Sequence, residues 1–192
     1  MTGRPQGLTP LTESAKFECG GGCAASTASD YLRFATMLMN GGRIGEARLL
    51  GPRTVAYMLS DQLGPNIKNL VGNADPTRAD YGFGLGLAVR TTPGVVRMMG
   101  SVGQFSWPGA SGTDWWVDPK EELAVVYMSA APGPIRWHYR QKINALVYQA
   151  IIEWRTATKT AREIFELHIA EAEQPFRILP SVPAERSSGL RI

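Results

Sequence analysis

Residues 99–118 read MGSVGQFSWPGASGTDWWVD, and the fold turns on how that stretch is read. The spacing predicts a strand, a tight glycine-bearing corner and a second strand. Gly100, Gly103, Gly109 and Gly112 punctuate it, and Trp107, Trp115 and Trp116 supply large apolar surface. Glycine inside a strand pattern marks a bulge or a close approach to the backbone. The edge of a ligand is one such approach; a bent hairpin in a core is the other reading of the same spacing.

Working outward, the residues on either side fit an antiparallel meander. From Tyr81 the period is two, with Tyr81, Phe83, Leu85, Leu87 and Val89 on one side and Gly82, Gly84, Gly86 and Ala88 on the other. This predicts one strand with a nearly bare face. Thr92-Pro93-Gly94-Val95 suits a type II turn, leading to a return strand from Val95 to Met99. Asp118-Pro119-Lys120-Glu121 predicts a second turn, between strands over 113–117 and 123–129, so the meander has four or five strands. Upstream, Thr27 with Asp30 has the spacing of a capping-box variant. Tyr31, Phe34, Ala35 and Leu38 then line one face of a helix ending at Gly41. A second helix opens at Pro52 and buries Val55, Met58 and Leu59, and residues 64–80 form a polar, turn-rich crossing loop. Downstream, Tyr139, Ile143, Leu146, Val147, Ala150 and Ile151 mark an amphipathic helix suited to the glycine face of the sheet. The fold class is therefore α+β, an antiparallel sheet flanked by helices.

Whole-chain properties narrow the function. At 192 residues, 44% hydrophobic and 19% charged, the chain can bury the core of one domain. Its net charge is +3, and no run of Lys or Arg concentrates it, which argues against a nucleic-acid partner. No apolar segment is long enough to span a membrane. The start, MTGRPQGLTP, lacks a signal-peptide core, which favours the cytoplasm for a chain beginning at Met1 and is silent on anything upstream. Cys19 and Cys23 are the only cysteines, and His138 and His168 lie far from them, so the spacing fits free thiols or a local disulfide, not a metal site. The run GGGCAA from Gly20 loosely fits a dinucleotide fingerprint, but no strand precedes it and a cofactor is not expected.

Taken as a set, GGGCAASTASDYLRFATMLMNGG, LLGPRTVAYMLSDQLG, YGFGLGLAV and GSVGQFSWPGASGTDWWVDPKEELAVVYM resemble the C-terminal half of β-lactamase-related serine hydrolases. These are the class C β-lactamases, the family VIII carboxylesterases and penicillin-binding-like relatives. The resemblance runs from about Lys16 to about Glu153. It implies the C-terminal portion of a β-lactamase/transpeptidase-like domain over 1–153, with 1–26 mostly loop. Residues 154–192 lie outside it and read as a charged helical extension with a disordered tail.

The resemblance implies a serine acyl-transfer site. In the family a Ser of S-x-x-K attacks an ester or amide carbonyl, the Lys and a Tyr manage the protons, and water releases the acyl group. Where β-lactamases carry K-T-G, esterase-like members have W-x-G, here Trp107-Pro108-Gly109. By similarity the backbone N–H of Ala110 is one of two oxyanion donors, a contribution of about 3–4 kcal/mol each in other hydrolases. Trp107, Pro108, Gly109 and Ser111 then line the substrate. Trp107 in place of lysine removes a cation that would hold a β-lactam carboxylate, and so favours a neutral ester.

The chain departs from the family where the reactive groups belong. The 192 residues contain no S-x-x-K. Thr156-Ala157-Thr158-Lys159 has the spacing but the wrong residue and the wrong order, and Tyr127-Met128-Ser129 also follows the third motif. His138 has no Ser/Asp pattern around it and reads as structural. Asp118 is explained by the turn before Pro119; Asp114 has no role readable from spacing. Two readings remain. One is a partial serine hydrolase, inert until an N-terminal half supplies the nucleophile and a small ester or amide is bound, and prone to self-association through exposed apolar surface. The other is a non-catalytic binding module that kept the fold.

Overall fold

The computed structural model describes residues 25–79, 81–94 and 97–151. Helix α1 spans Ala28–Met39, and Thr27 caps it by accepting from the Asp30 amide (3.1 Å) while its hydroxyl donates to the Asp30 carboxylate (2.9 Å). It ends in a Schellman motif: Gly41 N–H donates to Leu38 O and Gly42 N–H to Met37 O, with Gly41 at φ +63°. A small hairpin follows, β1 (Arg43–Ile44) with β2 (Ala47–Arg48), and then α2 (Pro52–Met58). Of the three apolar residues expected inside α2 and its end, Val55 is buried and Met58 and Leu59 are half-buried.

The expected meander is present with a different division of its first strand. Residues 81–90 form a hairpin, β3 (Tyr81–Phe83) and β4 (Ala88–Arg90), with Tyr81 opposite Arg90. Gly84 N–H donates to Leu87 O (2.8 Å), and Gly86 sits at φ +80°. The alternating glycines thus serve a tight turn where one long strand was expected. Gly94 has the positive φ (+76°) that a type II turn requires. The return strand to Met99 is absent over 97–99, where the Met99 peptide bonds to the Asn144 side chain instead of to a strand. The sheet resumes at β5 (Phe105–Ser106), followed by β6 (Asp114–Asp118) and β7 (Leu123–Tyr127). All neighbours are antiparallel, in the order β3-β4-β5-β6-β7.

Strand β6 shows how both faces are covered, since all five of its residues are buried. Trp115 and Val117 face α1, in a cluster with Ala35, Met37, Leu38, Val89 and Phe105. Tyr31, Phe34 and Phe105 meet the Trp115 ring edge to face at 5.4–6.1 Å. Asp114, Trp116 and Asp118 point the other way, toward α4 (Ile135–Gln149). Between them lie two short elements, α3 (Val71–Ala74) and a 3-10 turn (Pro76–Arg78), inside the segment expected to be only loop.

Helix α4 corrects an expectation. Its buried residues are Arg140 and Asn144, while Ile135, Tyr139 and Leu146 are exposed. The polar stripe Arg136, Arg140, Asn144, Tyr148, at spacings of four, turns inward. The reason is the sheet face it meets, which presents carboxylates and free loop carbonyls instead of bare glycine. Residues 1–24 and 152–192, with Cys19, Cys23, Thr156, Lys159 and His168, lie outside the described residues. None of the described helices is long and apolar enough to cross a membrane.

Candidate functional site

The loop 107–113 joins β5 to β6 and carries every residue singled out for substrate contact. Trp107 is partly exposed, and its ring stands edge to face on Phe83 of β3 at 5.4 Å, making an apolar wall. Pro108, Gly109 and Ser111 are half-buried and Ala110 is exposed. The neck of the loop is closed by Gly109 N–H donating to Thr113 O (2.8 Å), and its tip by Gly112 N–H donating to Gly109 O (3.2 Å). Gly109 is required there, because a Cβ would lie 1.9 Å from the Thr113 hydroxyl oxygen. Ala131 N–H donates to Ser111 O (2.9 Å), so the chain entering α4 also braces the loop.

Helix α4 then ties down the carbonyls. Arg140 Nη2 donates to Gly109 O (2.5 Å) and to Thr113 O (2.9 Å), and Arg136 Nη1 donates to Ala110 O (2.7 Å). Among the described residues the Ala110 amide donates to no acceptor. The loop is thus held from the helix side, and the amide of exposed Ala110 is unspent among the described residues, as is that of half-buried Ser111.

Behind the loop is a buried charge network. Arg140 Nη1 donates to Asp75 Oδ2 (2.6 Å), and its Nε lies 3.7 Å from Asp114 Oδ2. Arg78 Nη2 donates to both oxygens of Asp114 (2.7 and 2.8 Å), its Nε to the Ser106 hydroxyl (3.0 Å) and its Nη1 to Thr77 Oγ1 (2.6 Å). Asp75 Oδ1 accepts from Thr77 N–H and Oγ1 (2.9 and 2.8 Å). Two guanidinium groups face two carboxylates, and all four side chains are about 1% exposed or less. Burial opposes the Arg78 charge, but its neighbours together, Asp114 foremost and then Tyr81 and Asp75, outweigh that and hold the guanidinium above its ordinary range. For Arg140 burial wins over the two carboxylates and lowers it; an arginine stays charged throughout.

These contacts settle what several candidates do. Asp114, without a role in the sequence reading, is the central acceptor of the network. Asp118 caps its turn as expected, its Oδ1 accepting from Lys120 N–H (3.2 Å), and its Oδ2 also accepts from Ser101 N–H (2.8 Å) and Tyr148 Oη (2.7 Å). His138 is exposed, beside the Tyr139 ring. Tyr127 lies on β7 opposite Asp114, and Met128 is exposed. Sequence reading missed Asp75, Arg78, Arg136 and Arg140. For Arg136 and Arg140 the available signal was the period-four polar stripe of α4, which an apolar stripe on the same helix obscured.

The beta-lactamase family model matches residues 2–149, more than half of the chain. Protein Rv1367c of Mycobacterium tuberculosis (strain ATCC 25618 / H37Rv) is 41% identical over 122 residues, which is 62% of this chain and 30% of that protein. The chain therefore spans less than a third of the curated relative. Among solved structures, EstCE1, a hydrolase with promiscuous acyltransferase activity, is similar at 26% identity and TM-score 0.51, over 63% of this chain and 29% of that one. A beta-lactamase (Mb2281c) from Mycobacterium bovis is similar in fold at 23% identity and TM-score 0.52, over 65% and 44% of the two chains.

Proposed function

This chain belongs to the beta-lactamase family, and from that premise we propose that it supplies one wall and one oxyanion donor of a serine acyl-hydrolase site. It would be the C-terminal portion of that site, completed by an N-terminal half that brings the S-x-x-K nucleophile and the tyrosine. The observation that carries this reading is the Ala110 amide, on an exposed residue and unspent among the described residues, in a loop whose Gly109, Ala110, Ser111 and Thr113 carbonyls are each held by a donor. A donor fixed before charge develops on the substrate oxygen needs no reorganisation during the reaction. Trp107 on Phe83 offers an apolar surface where a cation would select a carboxylate, which supports a neutral ester as substrate. The similarity to EstCE1, a hydrolase with promiscuous acyltransferase activity, supports the same class.

The test is the intact mass of the natural protein, read with the upstream frame, and then its turnover of a short-chain nitrophenyl ester. We expect a species above 20.9 kDa that carries S-x-x-K ahead of this segment and turns the ester over. Ala110→Pro in that species deletes the N–H and lowers kcat by about 10²–10³-fold. A natural species of 20.9 kDa, or a longer one without ester turnover, overturns the proposal. It would leave the fold as a non-catalytic binding module.

A further inference from the structure

We propose that Arg140 is the positioning residue of the oxyanion donor, acting through the Gly109 carbonyl. This rests on the reading of Ala110 given above. A peptide unit is planar, and in the trans form its C=O and N–H point in opposite directions; the described chain contains no cis peptide bond. The Gly109 carbonyl and the Ala110 N–H belong to one such unit. Arg140 Nη2 holds that carbonyl at 2.5 Å from inside the molecule, so the Ala110 N–H is turned outward, away from α4. A bond from a cation to the carbonyl also draws electron density from the amide, which makes its N–H a stronger donor.

The guanidinium can do this because it is itself fixed. Asp75 takes Nη1, Asp114 lies beside Nε, and Thr113 O shares Nη2 with Gly109 O. Asp114 is in turn held by Arg78, which also bonds Ser106, the residue before Trp107. The network thus reaches the loop from both ends, at Ser106 and at Thr113. Arg136 acts on the next peptide, through Ala110 O, whose N–H partner is that of Ser111. It therefore serves as an internal control.

The sequence contains one Gly-Ala dipeptide, Gly109-Ala110. Labelling glycine with carbonyl 13C and alanine with 15N therefore gives a single amide correlation for this peptide in the full chain. In the folded chain both nuclei are expected downfield of their positions in concentrated urea, as for a bonded carbonyl. Arg140→Lys loses the fork and is expected to move the pair upfield, whereas Arg136→Met moves it less. Asp75→Asn, which leaves Arg140 in place but frees its Nη1, moves it upfield by a smaller step and serves if Arg140→Lys does not fold. A folded-state carbonyl no further downfield than in urea overturns the proposal, as does a folded Arg140→Lys with an unmoved correlation. In the ester-hydrolysing natural product, Arg140→Lys lowers kcat by about 10²-fold at unchanged KM, with kcat referred to the folded, active fraction found by titrating the active site, so that a loss of folded protein does not enter. If Ala110→Pro leaves turnover intact while the correlation moves as stated, the oxyanion reading fails and the coupling of Arg140 to the peptide stands.

Discussion

At the scale of single residues, the loop is built around two positions that tolerate no neighbourly substitute. Gly109→Ala places a methyl 1.9 Å from Thr113 Oγ1, inside the neck that Gly109 N–H and Thr113 O close. We expect it to lower the thermal midpoint and to recover in part when combined with Thr113→Ala, which vacates the nearest atom. A double-mutant cycle by differential scanning calorimetry reads this coupling, and additive losses would mean that the loop yields elsewhere. Asp114 is the second position. Asp114→Asn leaves Arg78 and Arg140 buried against Asp75 alone, and breaking a buried pair on one side costs about 3–5 kcal/mol. Urea denaturation measures that loss. A change near zero would show that the two guanidinium groups find water, and that the network is weaker than its distances suggest.

At the scale of elements, α4 separates what could be read in the sequence from what could not. Local signals were legible: the Thr27 cap, the Gly41 stop, the turn at Asp118 and the pairing of the strand bearing Trp115 and Trp116 with its neighbours all lie within a few residues of their cause. The face that α4 buries depends on a partner more than sixty residues away, Asp75, and on the carbonyls of a loop. No periodicity contains that information. The same holds for residues 81–90, where alternation fits a strand and a glycine hairpin equally well. The polar side of α4 should therefore be the sensitive one. Asn144 holds both the N–H and the carbonyl of Met99 (2.8 and 3.2 Å), so Asn144→Ala costs about 1–3 kcal/mol. Leu146→Glu, at a site 64% exposed, stays within about 0.5 kcal/mol. Tyr148 adds a pH dependence. Burial, and then its bond to Asp118, push the phenol above its ordinary range. The folded chain keeps that proton at pH values where the unfolded chain has lost it. The contribution of Tyr148 to stability is therefore constant below the free tyrosine value of about 10 and is lost as pH rises beyond it. Tyr81, raised mainly by burial, adds to the same slope. Tyr148→Phe should reduce the alkaline fall without abolishing it, measured as the urea midpoint between about pH 9 and about pH 11.

At the scale of the whole molecule, the inward polar face of α4 leaves an outward apolar one. Ile135, Tyr139 and Leu146 are 47%, 42% and 64% exposed, and they fall four and seven residues apart, on one side of the helix. The sheet adds the edge strand β7, which can pair with another chain; the opposite edge, β3, is already taken by bonds to Asp61, Gln62 and Asn69. A net charge of +3 provides little repulsion between copies. We therefore expect the isolated chain to associate as its concentration rises, with sedimentation velocity showing species above 20.9 kDa. The two surfaces make different predictions. If the helix stripe drives association, Tyr139→Lys with Leu146→Glu returns the chain to its monomer mass, because both sites are exposed and the fold does not need them. If the β7 edge drives it, the double substitution changes nothing, and a charge introduced at exposed Met128, just beyond β7, weakens it instead. The helix stripe is the stronger expectation, because apolar area gains from burial at any orientation, whereas edge pairing demands register. A chain that stays at 20.9 kDa across the concentration range would show that neither surface is short of a partner.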